Sequence, residues 1–276
     1  MANITAADVA KLRRTTLAGM MDCKKALEEA DGNFDKAIEI IRKKGQAVAN
    51  KRADRDAGEG VVLSKVTPDC KLGIMIVLNS ETDFVAKNSD FIGLANKILD
   101  IALANNPQDL AALKALNIDG TTIENKVVEY IGVIGEKLEL SYFEKIEAEH
   151  VQAYIHPGNR LATITGFSKA GLDSQVYKDV AMQIAAMNPV AIDKDDVKPE
   201  IIAQEIEIGK DQARREGKPE EMLEKIAQGK LGKFFKESTL LNQEFIKDSK
   251  ITIRQYLESV SKDLTVTEFK RFTLNV

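Results

Sequence analysis

Two histidines, His150 and His156, and two cysteines, Cys23 and Cys70, are the residues of this sequence best suited to base, nucleophile or metal chemistry. Their spacing argues against that chemistry. The cysteines lie far apart, with no CxxC pair and no histidine at metal-ligand spacing, so both read as free thiols outside any disulfide framework or zinc site. Neither histidine belongs to a nucleophile–base motif. His156 falls in Ile155-His156-Pro157-Gly158, a strand-to-turn composition that suits a solvated histidine or a partner contact. No GxxxxGK followed by Ser or Thr occurs, and Gly229-Lys230-Leu231-Gly232-Lys233 belongs to a helical run, a poor phosphate cradle. The chain is therefore read as a non-enzyme, with no cofactor and no metal.

The segment that resists a purely structural account is Glu81-Thr82-Asp83-Phe84-Val85-Ala86-Lys87-Asn88. It follows a strand pattern, precedes a helix pattern, and sets an acid beside a bulky aromatic. Two arrangements fit the residues alone. Phe84 packs inward while Asp83 caps a short helix, which is the ordinary expectation, or Phe84 is presented outward as a wedge. Met20 and Met21 pose a related question. Adjacent methionines at a helix start cannot both face inward, so one is expected to be exposed and adaptable.

The elements that must position these residues follow from periodicity. Thr5 and Asp8 make a capping-box-like pair ahead of Val9 and Leu12. Cys23, Ala26, Leu27 and Ala30 line one face of a second helix, and Phe34, Ala37, Ile38 and Ile41 one face of a third. The third is expected to end at Arg42-Lys43-Lys44 with Gly45 after it, which closes a three-helix unit over residues 1–46. Residues 47–60, rich in Ala, Gly and mixed charge, read as a partly helical linker. Strand patterns at 61–66 and 72–78, joined by Thr67-Pro68-Asp69-Cys70, suggest an antiparallel hairpin. Helices are expected at 91–104 and 123–134, then strands at 138–142, 151–155 and 161–167, then a helix at 176–187. Asn106-Pro107 and Asn188-Pro189 close the first and last of these helices, so strand, loop, helix and Asn-Pro occur twice, as a duplicated α+β unit would have them.

Residues 199–237 read as a charged helical hairpin broken at Glu216-Gly217-Lys218-Pro219. Its thin apolar seam is expected from Ile201, Ile202, Ile208, Met222, Leu223, Ile226 and Leu231. A helix at 250–260 and a last strand at 265–274 would return the chain to the second unit. The fold class is thus α+β, with core units at 61–137 and at 138–198 plus 238–276. Among 276 residues, 44% are hydrophobic and the net charge is −4, without the surplus of Lys and Arg that phosphate neutralisation needs. Direct nucleic-acid binding is not expected. No apolar run nears the roughly 20 residues of a membrane span, and the first residues lack a signal-peptide plan, so a cytoplasmic protein is expected.

Leu12-Arg13-Arg14-Thr15-Thr16-Leu17-Ala18-Gly19-Met20-Met21-Asp22-Cys23-Lys24-Lys25-Ala26-Leu27 and Leu78-Asn79-Ser80-Glu81-Thr82-Asp83-Phe84-Val85-Ala86-Lys87 together resemble the elongation factor Ts family. The resemblance continues through His156-Pro157-Gly158-Asn159-Arg160 and Gln228-Gly229-Lys230-Leu231 and covers nearly the whole chain. It departs at Leu17, where the family usually has Gly, and at Val77, where it usually has Glu. The resemblance implies a ubiquitin-associated-like N-terminal bundle, a core of two related α+β subdomains, and a coiled-coil hairpin. It also implies a partner, the GTPase elongation factor Tu, and guanine-nucleotide exchange as the activity. By the same analogy the segment Thr82, Asp83, Phe84 and Val85 enters the Tu nucleotide domain near its Mg²⁺ site, which favours the wedge. Leu12, Met20 and Met21 would lie against another helix of that domain, and His156 would meet a different Tu domain. A rival reading makes the N-terminal bundle an adaptor for ubiquitin-like partners, on fold analogy alone. Homodimerisation through the second subdomain or the hairpin stays open.

Overall fold

The computed structural model describes residues 4–274. Three helices open it: α1 (Ala6–Thr16), α2 (Met20–Glu29) and α3 (Phe34–Arg52). The capping box at the start of α1 is formed, with the Thr5 N–H donating to Asp8 Oδ2 at 3.0 Å and Asp8 N–H to Thr5 Oγ1 at 3.2 Å. Val9, Leu12, Cys23, Ala26, Leu27 and Ala37 meet in one small core. The third helix does not end at Gly45. It runs to Arg52, and Gly45 lies in its middle because α7 (Ile123–Ile134) crosses there. A Cβ added to Gly132 of α7 would stand 2.5 Å from the Gly45 Cα, so glycine is needed for close approach rather than for termination. Val48 and Ala49, in the stretch read as linker, pack on the core of the following unit.

Strand β1 (Glu59–Val66) pairs antiparallel with β2 (Leu72–Ser80), Val61 opposite Leu78. After them come the single turn α4 (Asp83–Ala86), α5 (Ser89–Asn105), α6 (Leu110–Ala115), the short ribbon β3 (Asn117–Ile118) and β4 (Thr121–Thr122), α7, and β5 (Leu138–Glu147). Strand β5 pairs with the free side of β2, giving the sheet order β1-β2-β5.

The second unit repeats this order. Strands β6 (His150–Ile155) and β7 (Leu161–Phe167) form a hairpin that leads to α8 (Ser174–Met187). The chain then leaves the unit as α9 (Pro199–Arg215) and α10 (Glu220–Ser238). It returns through the ribbon β8 (Glu244–Phe245) and β9 (Asp248–Thr252), α11 (Ile253–Val260) and β10 (Val266–Thr273), which pairs with the free side of β7. Helix α11 starts at Ile253, not at residue 250, because Thr252 and Gln255 form its capping box and the preceding residues pair with β8. Asn106 and Asn188 end α5 and α8 in matching left-handed conformations, φ 44 and φ 45, each followed by proline. The Asn-Pro echo marks equivalent places in two units of one topology.

The sheets pack face to face, which explains why β2 is apolar without alternation. Ile74, Ile76 and Leu78 face the helices α5 and α7, while Met75 and Val77 face Val151, Ala162 and Ile164 of the second sheet. Both faces of β2 are thus buried. In the α9–α10 hairpin the expected large-residue seam forms in part, with Leu223 and Leu231 buried and Ile201, Ile202 and Ile226 half-buried. Ile208 and Met222 are exposed, and the buried positions are Gly209, Ala213, Leu223, Ala227 and Leu231. Gly209 lies against Ala227, where an added Cβ would sit 3.1 Å from the Ala227 Cα, so small residues bring the helices too close for Ile208 to enter. No helix among the described residues is long and apolar enough to cross a membrane.

Candidate functional site

Strand β2 ends at Ser80, and residues 81–88 carry the chain to α5 through a turn held at several points. Thr82, not Asp83, is the N-cap of α4: its Oγ1 accepts from the Val85 N–H at 3.4 Å. Asn88 caps α5 by accepting from Asp90 N–H at 2.8 Å, and Phe91 at the start of α5 is fully buried. The single turn of α4 therefore divides into an inward half, Val85 and Ala86, and an outward half, Asp83 and Phe84. Phe84 is 83% exposed, so the ordinary inward expectation does not hold. Ala86 and Val85 fill the space beneath it.

The turn is clamped from residues distant in sequence. Glu136, at the junction of α7 and β5, accepts from Thr82 N–H at 3.1 Å and from the Thr82 hydroxyl at 2.8 Å. Glu81 accepts twice from the Arg52 guanidinium, at 2.8 and 2.9 Å, and from the Lys137 N–H at 2.6 Å. Those bonds, the Lys137 N–H first and Arg52 second, hold the Glu81 carboxyl below its ordinary range despite burial. Asp83 is paired with Lys87 one turn on, Nζ to Oδ2 2.6 Å, and that bond lowers its pKa in the same direction. Both acids are anionic at neutral pH.

Phe84 forms one wall of an open groove of about 850 Å³ between the N-terminal bundle and the core. Leu17, Met20, Val85, Tyr130 and Val133 also line it, with Arg13 and Arg14 at its edge. The fold thus brings Phe84, Val85 and Met20 together although Met20 and Phe84 are 64 residues apart. Met20 and Met21 are both exposed, 46% and 64%, which exceeds the expectation that one would be. Leu12 is placed otherwise. It is fully buried in the bundle core, because its position on α1 faces Cys23 and Leu27 rather than solvent, so it offers no surface in the free protein. His156 is exposed on the turn between β6 and β7, its Nδ1 3.0 Å from the Tyr154 hydroxyl, and does not line the groove. The sequence pattern assigns no site role to Leu17, Tyr130, Val133, Arg52 or Glu136. Only Leu17, an apolar residue next to the helix break at Ala18-Gly19, carried a local signal.

The Cys23 thiol is buried against the Ala18 carbonyl at 3.6 Å and Cys70 lies in the β1–β2 turn. No group of three or more His, Cys, Asp or Glu able to hold a metal occurs among the described residues. What the site can do is present an aromatic ring, on a turn clamped at several points, beside a groove lined by Leu17, Met20, Tyr130 and Val133.

The sequence model of the family described as "Elongation factor TS" matches residues 81–276. The chain is 52% identical over 276 residues to elongation factor Ts of Flavobacterium psychrophilum, covering 99% of this chain and 100% of that one. It is 53% identical to that of Porphyromonas gingivalis over 273 residues, covering 99% and 98% of the two chains. To that of Cytophaga hutchinsonii it is 48% identical over 278 residues, with both chains covered fully. Matches of this extent over both chains establish the kinship of the whole fold, the Phe84 turn included, and the chain belongs to the elongation factor Ts family of translation elongation factors.

Proposed function

We propose that the chain is a guanine-nucleotide exchange factor for elongation factor Tu, acting in the cytoplasm without catalysing any covalent step itself. A GTPase holds GDP largely through its phosphates and the Mg²⁺ that bridges them to protein, so a partner that displaces the supporting helices releases nucleotide without touching it. Phe84 is the part that would enter. Burying its ring supplies roughly 1.5–3 kcal/mol, and a central aromatic anchor is the residue type that dominates such interfaces. The observation that carries this reading is the 83% exposure of Phe84 on a turn fixed by Thr82, Glu136, Glu81 and Arg52. A fixed mount loses little entropy on docking, so the insertion energy goes into moving the partner.

Met20 shares the groove with Phe84, which favours one continuous interface over a bundle that recruits ubiquitin-like partners independently. Coupling is reciprocal: a factor that weakens GDP binding binds empty Tu more tightly than GDP-loaded Tu, and incoming nucleotide ejects it. The test uses purified Tu carrying a fluorescent GDP. The chain should greatly accelerate release, and Phe84→Ala should remove most of the acceleration. A Phe84→Ala protein as fast as the parent would overturn the wedge.

A further inference from the structure

Helix α1 ends on Leu17 in the left-handed conformation, φ 58 and ψ 2, its N–H donating to the Arg13 carbonyl at 2.7 Å. An L-residue there brings its Cβ against the following carbonyl, and glycine is the usual occupant of such a helix end. Among the described non-glycine residues with positive φ, six are Asn or Asp, whose short polar side chains tolerate the conformation; the others are Cys70 and Leu17. Among the described residues, Leu17 is the only large aliphatic side chain held this way. Burial inside the fold would account for it, but Leu17 is 43% exposed while its neighbours Leu12 and Ala18 supply the bundle core. It stands on the ridge between the Phe84 groove and a smaller depression of about 240 Å³ lined by Leu94, Lys97 and Tyr130. The strained backbone presents an apolar side chain to solvent, beside an exposed methionine and an exposed phenylalanine, without full burial in the chain to offset it.

We propose that Leu17 is a partner-contact residue. Resting on the exchange reading above, it buries against the GTPase partner in the same docking event as Met20 and Phe84, whose groove it borders. Its task differs from that of Phe84. Leu17 belongs to the bundle and not to the α4 turn, although both border the groove, so it adds to the lifetime of the complex without driving nucleotide out. Gly and Asn both accept the left-handed conformation, so Leu17→Gly and Leu17→Asn remove the side chain without adding strain.

The experiment measures three quantities on the full-length chain: melting temperature, dissociation from nucleotide-free Tu, and the maximal GDP-release rate at saturating factor. Both Leu17 variants should melt at or above the parent temperature, leave Tu about 5- to 10-fold faster, and reach the parent maximal rate. Phe84→Ala should instead lower the maximal rate. Parent-like dissociation of both Leu17 variants beside a defective Phe84→Ala would overturn the Leu17 assignment alone. A lower melting temperature in both variants would also overturn it, since the leucine would then serve the fold. A parent-like Phe84→Ala would overturn the exchange reading and this contact with it.

Discussion

An aromatic ring held in water is unfavourable by about 25 cal/mol for each Å² left exposed, and Phe84 is nonetheless placed where its own chain cannot cover it. Leu12, a few residues from Met20 in the same bundle, is withdrawn completely into the core. The difference lies in what surrounds each residue. Leu12 belongs to an eleven-residue helix with two others to pack on, whereas Phe84 occupies a turn whose inward half is already taken by Val85 and Ala86. A second residue with a consequence of its own is His150. Its ring stacks on Tyr177 at 3.6 Å, and its Nε2 is buried without a hydrogen-bond partner among the described residues. That burial disfavours the imidazolium and lowers the pKa below the ordinary 6.5. The unfolded chain then takes up a proton at a higher pH than the folded chain. Stability should be flat above pH 6.5 and fall as pH drops below it, until the folded histidine also protonates. Urea midpoints compared at about pH 7.5 and about pH 5.5 should show the loss in the parent, and a much smaller one in His150→Gln.

The α4 turn is too short to persist by itself, since helices of this length have no cooperative stability. It exists because α5, β2 and the α7–β5 junction fix its ends. Glu136 is central, with one carboxylate accepting both the N–H and the hydroxyl of the capping residue Thr82. Removing a charged acceptor leaves partly buried donors unpaired. Glu136→Ala should therefore lower folding stability by about 1–2 kcal/mol and slow GDP release although Phe84 is intact. Unfolding in urea and the release assay check the two effects together, and a variant destabilised but fully active would show that Phe84 needs no fixed mount. This clamp had no sequence signature. Glu136 is an unremarkable acid after a helix-ending glycine, and only the pairing of β5 with β2 brings it to Thr82. The helical hairpin is legible as an element, from Pro199 and Gly217 and its charge, but its seam only in part, because Gly209 and Ala227 carry no apolar bulk to betray them.

At the scale of the molecule, α3 ties the bundle to the core. It contributes Ala37 to the bundle, crosses α7 at Gly45 and Gly132, and ends at Arg52, which binds Glu81 beside the Phe84 turn. The distance between Met20 and Phe84 is therefore set by a continuous helix rather than by a loose connection. A glycine inside a helix costs about 1 kcal/mol, and the close crossing offsets it. Gly132→Ala would put a methyl 2.5 Å from the Gly45 Cα and force the helices apart. We expect a loss of about 1–3 kcal/mol together with slower GDP release, because the groove opens with Phe84 and Met20 both present. Release at the parent rate would show that the crossing does not set the interface. On the same scale, the two sheets share one topology, and the α9–α10 hairpin leaves the second unit after α8 and returns before β8, where the first unit has only α6.

The sequence by itself determined the α+β class, the positions of most helices and strands, the Asn-Pro repeat and the family, because periodicity, caps and turn residues act over a few neighbouring residues. Its residues alone left Phe84 between two orientations, of which the family resemblance favoured the outward one. They also took Gly45 for a terminator. The orientation of Phe84 and the end of α3 were decided only in the tertiary structure, since burial and close approach depend on what another element places opposite. Val85 and Ala86 take the inward side of the turn and leave Phe84 outward, and Gly132 lets α3 run on past Gly45.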